Sequence, residues 1–274
     1  MGLLSLAIWV PIATGVLLLA IGRDHNAGTV RVLALLGSIA SFLVTLPLIG
    51  RFDYGTAALQ FVEKFVWVER FNVNYHLGVD GLSVWFVLLT AFITVIVVVA
   101  GWEVITEKVA QYMAAFLILS GLMVGVFAAA DGVLFYIFFE GTLIPMYLII
   151  GIWGGPRRVY AAFKFFLYTF AGSLLMLVAL LYLYFKSGGS FDIQSWHKLP
   201  LSLTEQTILF FAFFAAFSVR CRCGRCTRGC RTPTSRRPPA ARWCWRRSCS
   251  SSAPTASCAS RCRSPPTPRT STRG

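Results

Sequence analysis

The stretch that most constrains this chain runs from Asp131 to Gly155 and is apolar throughout, except for one carboxylate between its ends, Glu140. About 20 helical residues cross the roughly 30 Å hydrocarbon core of a bilayer, and Glu140 lies near the middle, where an ionised side chain is most costly. Pro145 follows and has no N–H, so the carbonyl of Gly141 loses its helical partner beside the charge. We expect this face of the helix to look toward protein or internal water.

Glu140 has two interpretations. As a structural group, a buried glutamate hydrogen-bonds neighbouring helices to one another. As a functional group, it is a protonatable station for proton or cation movement, because intramembrane carboxylates usually mark ion pathways. We favour the functional interpretation.

The chain has 274 residues and a formal net charge of +14, and its amino-acid composition changes sharply near residue 220. Residues 1–218 contain 11 basic and 11 acidic side chains, whereas the segment from Arg220 onward contains 14 arginines, no acid, and all eight cysteines. The positive charge therefore does not indicate a nucleic-acid partner, and the cysteines do not report the redox compartment. The tail has no Leu, Ile, Val, Phe or Met, so we expect it to be disordered.

Six further apolar runs accompany the central stretch, the last of them cut short near Val219. Together they predict an all-α, polytopic membrane bundle of six full spans and a truncated seventh. The runs are residues 3–21, 30–49, about 83–101, 112–130, 161–185 and 203–219. The first has no basic segment before it and no cleavage site after it, which indicates a span rather than a signal peptide. Alternating residues in FVWVERFNVNY, within the loop 51–76, predict a hairpin on the membrane surface.

Asp80 and Lys164 are two further candidate site residues, each with alternatives. Asp80, in the LGVDGLS segment, is an N-cap of the third span or a residue at the mouth of an ion path. Lys164, early in the sixth span, is a snorkelling interface anchor or a proton relay. We favour the cap and the anchor.

Basic residues predict the orientation of the spans. Short loops after the odd-numbered spans carry most of them, Arg157 and Arg158 included, which places those loops in the cytoplasm and the N-terminus outside.

The run FFEGTLIPMYLIIGIWGG followed by RRVYAAFKFFLYTFAGSLLML, together with YHLGVDGLS, resembles the M subunits of proton-pumping NADH:quinone oxidoreductase, respiratory complex I. The resemblance covers roughly residues 1–219. It implies an antiporter-like membrane subunit in which a fifth-helix glutamate, matching Glu140, pairs with a seventh-helix lysine and exchanges protons along a buried polar axis. Related sodium/proton antiporter subunits share this architecture and are the alternative.

What the resemblance implies extends to partners and cofactors. NADH, flavin, iron–sulfur clusters and quinone belong to partner subunits, and this subunit binds no cofactor. Its partners are other membrane subunits of complex I and the lipid bilayer, and its location is the cell membrane.

From Arg220 the chain departs from the family pattern, which has lysine there and further membrane helices. Cys221, Cys223, Cys226 and Cys230 match no closed metal site, so we expect no metal. Codons compatible with residues 220–230, regrouped after one added base, read KVPMWPVHTWL, the continuation that the resemblance implies. We therefore interpret residues 1–219 as the N-terminal part of a proton-translocating domain and 220–274 as a frameshifted tail. A non-functional truncated fragment is the third alternative, and it would make this chain inactive.

Overall fold

A computed structural model describes residues 2–22, 27–56, 58–105, 107–155 and 157–220 of the chain. Over these residues the chain is helical, with one small two-stranded sheet. The helices are α1 (Leu3–Ile21), α2 (Ala27–Gly50), α3 (Ser83–Ala100), α4 (Val109–Ala128), α5 (Gly132–Gly141), α6 (Leu143–Trp153), α7 (Arg158–Lys186), α8 (Ile193–Trp196) and α9 (Leu203–Arg220). The strands β1 (Gln60–Val68) and β2 (Val73–Val79) lie between α2 and α3.

Seven helical stretches in the described part of the chain are long and apolar enough to cross a membrane, α5 and α6 together forming one of them. The prediction of a polytopic helical bundle is therefore confirmed. The seventh stretch continues through Arg220, one residue beyond the expected end of the apolar run. The predictions of a disordered tail and of a metal-free cysteine cluster fall on residues 221–274, which lie outside the described residues.

Helix α4 lies at the centre of the bundle. It packs against α1, α2, α3, α5 and α6, and 61% of its span is buried. Small residues allow α1 and α4 to approach closely: a Cβ added at Gly121 would lie 2.7 Å from the carbonyl oxygen of Ile8. In the same contact a Cβ at Gly15 would lie 3.0 Å from the carbonyl oxygen of Ala114. Such contacts replace the hydrophobic driving force that lipid surroundings do not supply.

The expected hairpin is present as the antiparallel pair β1–β2, with Asn72 in the left-handed region at the turn. Its β1 strand is attached to the start of α1 by Glu63. Oε1 of Glu63 accepts the backbone N–H of Leu4 at 2.9 Å, and Oε2 accepts the hydroxyl of Ser5 at 2.5 Å. The carboxylate thus satisfies a donor that the first turn of a helix leaves free.

Helix α9 begins with a reciprocal cap and an ion pair. The N–H of Ser202 donates to Oε2 of Glu205 at 3.0 Å, and the N–H of Glu205 donates to the hydroxyl of Ser202 at 3.4 Å. Nζ of Lys186, at the end of α7, lies 2.8 Å from Oε1 of Glu205. These contacts fix the start of α9 against the end of α7.

Described connections after the even-numbered spans meet at one end of the bundle, and at the other end the α3–α4 connection contacts the start of α2 and the end of α6. At the first end, the hairpin contacts the α4–α5 turn and the segment before α8, through the N–H of Ala130 on the carbonyl of His76 and that of Gly132 on the carbonyl of Phe191. At the second end, the Arg31 guanidinium donates to the carbonyl of Ile105 and the Trp153 indole donates to that of Glu107. This alternation is what a chain that crosses a membrane repeatedly requires.

Candidate functional site

The apolar stretch that contains Glu140 is not one continuous helix. Helix α5 ends at Gly141 and α6 begins at Leu143, with Thr142 between them. Pro145 falls in the first turn of α6, where a missing N–H is tolerated. The Thr142 hydroxyl donates to the carbonyl of Phe139 at 2.8 Å, so part of the exposed backbone is satisfied locally. The weak point expected beside Glu140 is thus a one-residue break between α5 and α6, at which Thr142 keeps helical dihedral angles.

Arg220, at the end of α9, reaches this break from the side. One guanidinium nitrogen donates to the carbonyl of Phe139 at 2.6 Å, and another donates to the hydroxyl of Thr142 at 3.0 Å. The guanidinium carbon also lies 3.4 Å from the centroid of the Phe139 ring. Hydrogen bonds and a cation–π contact therefore hold the last described residue of the chain on the break.

Glu140 lies in the last turn of α5, beside these groups. Its side chain is half-buried, and its Oε1 atom is shielded from solvent without a hydrogen-bond partner among the described residues. Arg220 and Tyr136 both lie within electrostatic range of the carboxylate, and the Tyr136 hydroxyl is hydrogen-bonded to Ser173 of α7. Within the described part of the chain, the ion pairs closer than 4.0 Å do not include Glu140 and Arg220.

Glu140 combines an unpartnered, shielded carboxylate oxygen with a nearby cation. A buried oxygen without a partner is costly, and protonation or an internal water relieves that cost. A positive charge nearby favours the ionised carboxylate instead. Glu140 thus lies beside a helix break and a cation, and intramembrane carboxylates in such surroundings usually mark ion pathways.

Lys164 lies apart from the break, on an exposed face of α7. It contributes to a shallow apolar groove with Tyr160, Phe163, Leu167 and Tyr168. Its position in the second turn of α7 is compatible with an interface anchor, and the choice between anchor and relay stays a prediction.

Asp80 does not cap the third span, contrary to the sequence-based expectation. Helix α3 begins at Ser83 after Leu82, and no side chain caps its first turn. Asp80 is exposed, and its backbone carbonyl, not its carboxylate, accepts the N–H of Val84 at 3.1 Å. Two turn residues, Gly81 and Leu82, separate Asp80 from Ser83, and Asp80 joins the start of α3 through its backbone.

Asp131, which the sequence analysis named only as the start of the apolar stretch, is a further charged residue of this region. Its Oδ1 atom accepts the N–H groups of Val133 at 3.0 Å and Leu134 at 3.3 Å, so it caps α5. The carboxyl is almost fully buried, and that burial raises its pKa, while the backbone donors and His76 partly oppose the shift. An aspartate directly before a predicted helix start was the available signal. Over the described residues, no group of three or more His, Cys, Asp or Glu side chains could hold a metal ion.

Two protein-family models match consecutive parts of the chain. The model for the amino terminus of NADH-ubiquinone oxidoreductase chain 4 matches residues 29–128. The transmembrane model for NADH:quinone oxidoreductase and Mrp antiporter proteins matches residues 129–223. The matched residues include the α5–α6 break and Arg220.

Curated relatives show the same similarity over most of this chain and less than half of their own. Subunit M of the NADH-quinone oxidoreductase of Rhodobacter capsulatus is 46% identical over 238 residues, which cover 80% of this chain and 45% of the relative. Chain 4 of the NADH-ubiquinone oxidoreductase of Arabidopsis thaliana is 42% identical over 79% of this chain and 44% of its own length. The chain thus spans about 45% of the length of the curated relatives that it matches.

Solved structures agree on the fold. Respiratory complex I from Thermus thermophilus contains a chain with a TM-score of 0.68 and 31% identity, covering 80% of this chain and 44% of that one. The Mrp complex from Dietzia sp. gives a TM-score of 0.63 at 18% identity, covering 79% of this chain and 23% of that one, a likeness of fold alone.

Proposed function

The chain belongs to the family of M-type, or chain 4, membrane subunits of NADH:quinone oxidoreductase, and from that premise we propose that it is built as the N-terminal part of a proton-translocating subunit. In this proposal, proton movement through the membrane is coupled to NADH oxidation and quinone reduction in partner subunits. The subunit itself performs no redox chemistry and binds no cofactor. Its partners are the other membrane subunits and the lipid of the cell membrane, with the N-terminus outside.

Glu140 carries the proposal. Its Oε1 atom is buried without a partner, beside a helix break and within electrostatic range of Arg220. A group that only joined helices would be expected to have its hydrogen bonds complete. Glu140 is accordingly assigned the role of a proton relay.

Lys164 and Asp80 are proposed to have roles other than proton relay. Lys164, exposed on α7, acts as an interface anchor whose ammonium reaches polar surroundings. Asp80, exposed and free of a capping role, is left as a residue at the mouth of an ion path.

A sodium/proton antiporter subunit is the second candidate function. One matched family model is named for both NADH:quinone oxidoreductase and Mrp antiporter proteins, and the fold of the Dietzia Mrp complex is similar. The two candidates differ in the ion and in the source of energy. Proton transport that depends on sodium and not on NADH would favour the antiporter.

The tail is proposed to result from a change of reading frame at the codon for Arg220. The family model stops matching at residue 223, close to the point where the composition changes. Arg220 contacts the α5–α6 break, where the resemblance implies a lysine on the same helix. A one-base loss in a lysine codon leaves a cation at this position and alters every residue that follows.

Glu140→Gln in the frame-restored subunit, expressed with its partner subunits, tests the relay. We expect most of the NADH-driven proton pumping to be lost while the complex still assembles, because glutamine keeps the shape but cannot exchange a proton. The measurement is proton uptake by inverted membrane vesicles. Glu103→Gln, the same change in an exposed loop, is the matched control and should pump normally. Near-normal pumping by assembled Glu140→Gln complexes would contradict the relay.

A further inference from the structure

Three segments of the chain meet at the end of α5 that is remote from Glu140. The α4–α5 turn lies between β2 and the segment that leads into α8. The N–H of Ala130 donates to the carbonyl of His76 at 2.9 Å, the N–H of Gly132 donates to that of Phe191 at 2.9 Å, and the N–H of Ile193 donates to that of Ala130 at 3.2 Å. The position of this turn sets the position of α5, because the helix starts one residue after Asp131.

Ionisable side chains also lie where these three segments meet, which we call the junction. Nδ1 of His76, on β2, lies 3.8 Å from Oδ1 of Asp192, on the segment before α8. Asp131, on the turn between them, is 1% exposed, and its Oδ2 atom accepts the N–H of Asn74 at 3.4 Å. Asp131 also lies within electrostatic range of His76. Two carboxylates from two different segments therefore converge on one imidazole.

The imidazole itself is enclosed, with His76 only 8% exposed. The charged groups that face it are Asp192 and Asp131, and across the hairpin Lys64, its partner in the strand register. When His76 is protonated, it has two negative neighbours and one positive neighbour. When it is neutral, the two carboxylates are left without the cation between them.

We propose that His76 is a positioning residue for α5: in its protonated form it binds β2 to Asp192 and Asp131 and so fixes the end of the half-helix that carries Glu140. A protonated imidazole is attracted to the two carboxylates and a neutral one is not, so the junction is tighter at a pH where His76 is protonated. The consequence for proton movement rests on the proposed function. The charge-dependent junction itself does not, and it is tested separately.

Amide hydrogen exchange of the 274-residue chain in detergent tests the proposal. The amides of Ala130, Gly132 and Ile193 report on the three hydrogen bonds that join the segments. With rates corrected for the intrinsic effect of pH, we expect their protection to fall about threefold between pH 5.5 and pH 8, the effect of losing one partly exposed ion pair.

Variants separate the charge of His76 from its packing. His76→Gln should show, at both pH values, the lower protection that the wild-type amides show at pH 8. His76→Lys, which keeps a cation, should show at both pH values the higher protection that they show at pH 5.5. Asp192→Asn removes the other partner of the 3.8 Å contact and should reduce the pH dependence, with Asp131 left as the remaining carboxylate near His76. His197→Gln, the same change at an exposed histidine of the neighbouring segment, should behave as wild type.

The outcomes are distinct from those of the pumping experiment. A wild-type chain with equal protection at the two pH values would overturn the positioning role. So would a His76→Gln variant that keeps the wild-type pH dependence, because the carboxylates alone would then explain it. Loss of the proposed proton relay at Glu140 would leave these exchange results unchanged.

Discussion

Phe139 contacts the Arg220 guanidinium through both its backbone carbonyl and its ring. Its carbonyl accepts a guanidinium hydrogen bond of 2.6 Å, and its ring lies under the same guanidinium at 3.4 Å. A guanidinium buried in apolar surroundings needs both a hydrogen-bond acceptor and a polarisable contact. The break between α5 and α6 supplies the first, since the carbonyls of a broken helix are not all used within it. Arg220 therefore supplies a donor to a backbone carbonyl at the break, and the break supplies an acceptor to the buried guanidinium, so each lowers the desolvation free energy of the other.

Asp131 gives a prediction about pH at the scale of one residue. Burial raises the pKa of its carboxyl, so the folded chain binds this proton more readily than the unfolded chain does. The resulting stabilisation is present below the ordinary aspartate pKa and is lost as the pH rises through the raised folded value. Asp131→Asn, which keeps a capping oxygen, should therefore gain melting temperature relative to wild type as the pH increases from 4 to 7.

Thermal unfolding in detergent at several pH values measures this difference. Asp80→Asn removes a carboxylate at an exposed position that caps no helix, and it controls for the general loss of one negative charge. A melting-temperature difference between Asp131→Asn and wild type that is the same at pH 4 and pH 7 would show that the burial of Asp131 does not affect stability.

Helices were the most predictable elements of this chain. Long apolar runs must become spans because the bilayer leaves no other way to satisfy their backbone groups. Pro145 predicted the break, since the loss of one N–H is a local fact of covalent structure. Alternation predicted the hairpin, which forms between residues close in sequence.

Contacts between distant residues could not be predicted in this way. Arg220 and Phe139 are 81 positions apart, and the sequence contains no signal of which side of the break α9 would approach. His76 and Asp192 meet only because β2 and the segment before α8 lie on either side of the α4–α5 turn. Asp80 was wrongly favoured as a cap, because α3 begins at Ser83, after Leu82, and no side chain caps its first turn. Such features depend on packing, which sequence periodicity does not encode.

The connections between spans give a prediction at the scale of the element. A reporter fused after Arg158 should be cytoplasmic, and one fused after Gly189, near Asp192, should be external, because short loops rich in basic residues stay inside. Paired fusions to a periplasm-active phosphatase and to a cytoplasm-active fluorescent protein measure this. The reverse pattern would invert the assigned orientation and the side from which Glu140 is reached.

The whole molecule is predicted not to pump in its present reading frame. The chain spans about 45% of the length of its curated relatives, and the family match ends at residue 223. Fourteen arginines without an acid would each cost about 2.5–3.5 kcal/mol at mid-membrane, so the tail cannot supply the spans that follow in the family. Expression of both frames beside the partner subunits, with proton uptake as the readout, should give pumping only in the restored frame.

Two further results would decide the status of the tail. Sequencing of the gene around the codon for Arg220 should show the missing base. Titration of the purified 274-residue chain with zinc should show no stoichiometric binding through Cys221, Cys223, Cys226 and Cys230. An unaltered gene, together with pumping or tight zinc binding by this chain, would contradict the reading-frame proposal.

Helix α9 has a consequence for how the chain enters the membrane. It is the least apolar of the seven candidate spans in the described residues, and only 11% of it is buried inside the molecule. A segment of this kind partitions poorly by itself when it leaves the ribosome, since Glu205 lies at one end and Arg220 at the other. We expect its retention to depend on α5 and α7, which are synthesised earlier and supply the carbonyl of Phe139 and Lys186 to the two charges. The order of synthesis is thus part of what makes this helix a span.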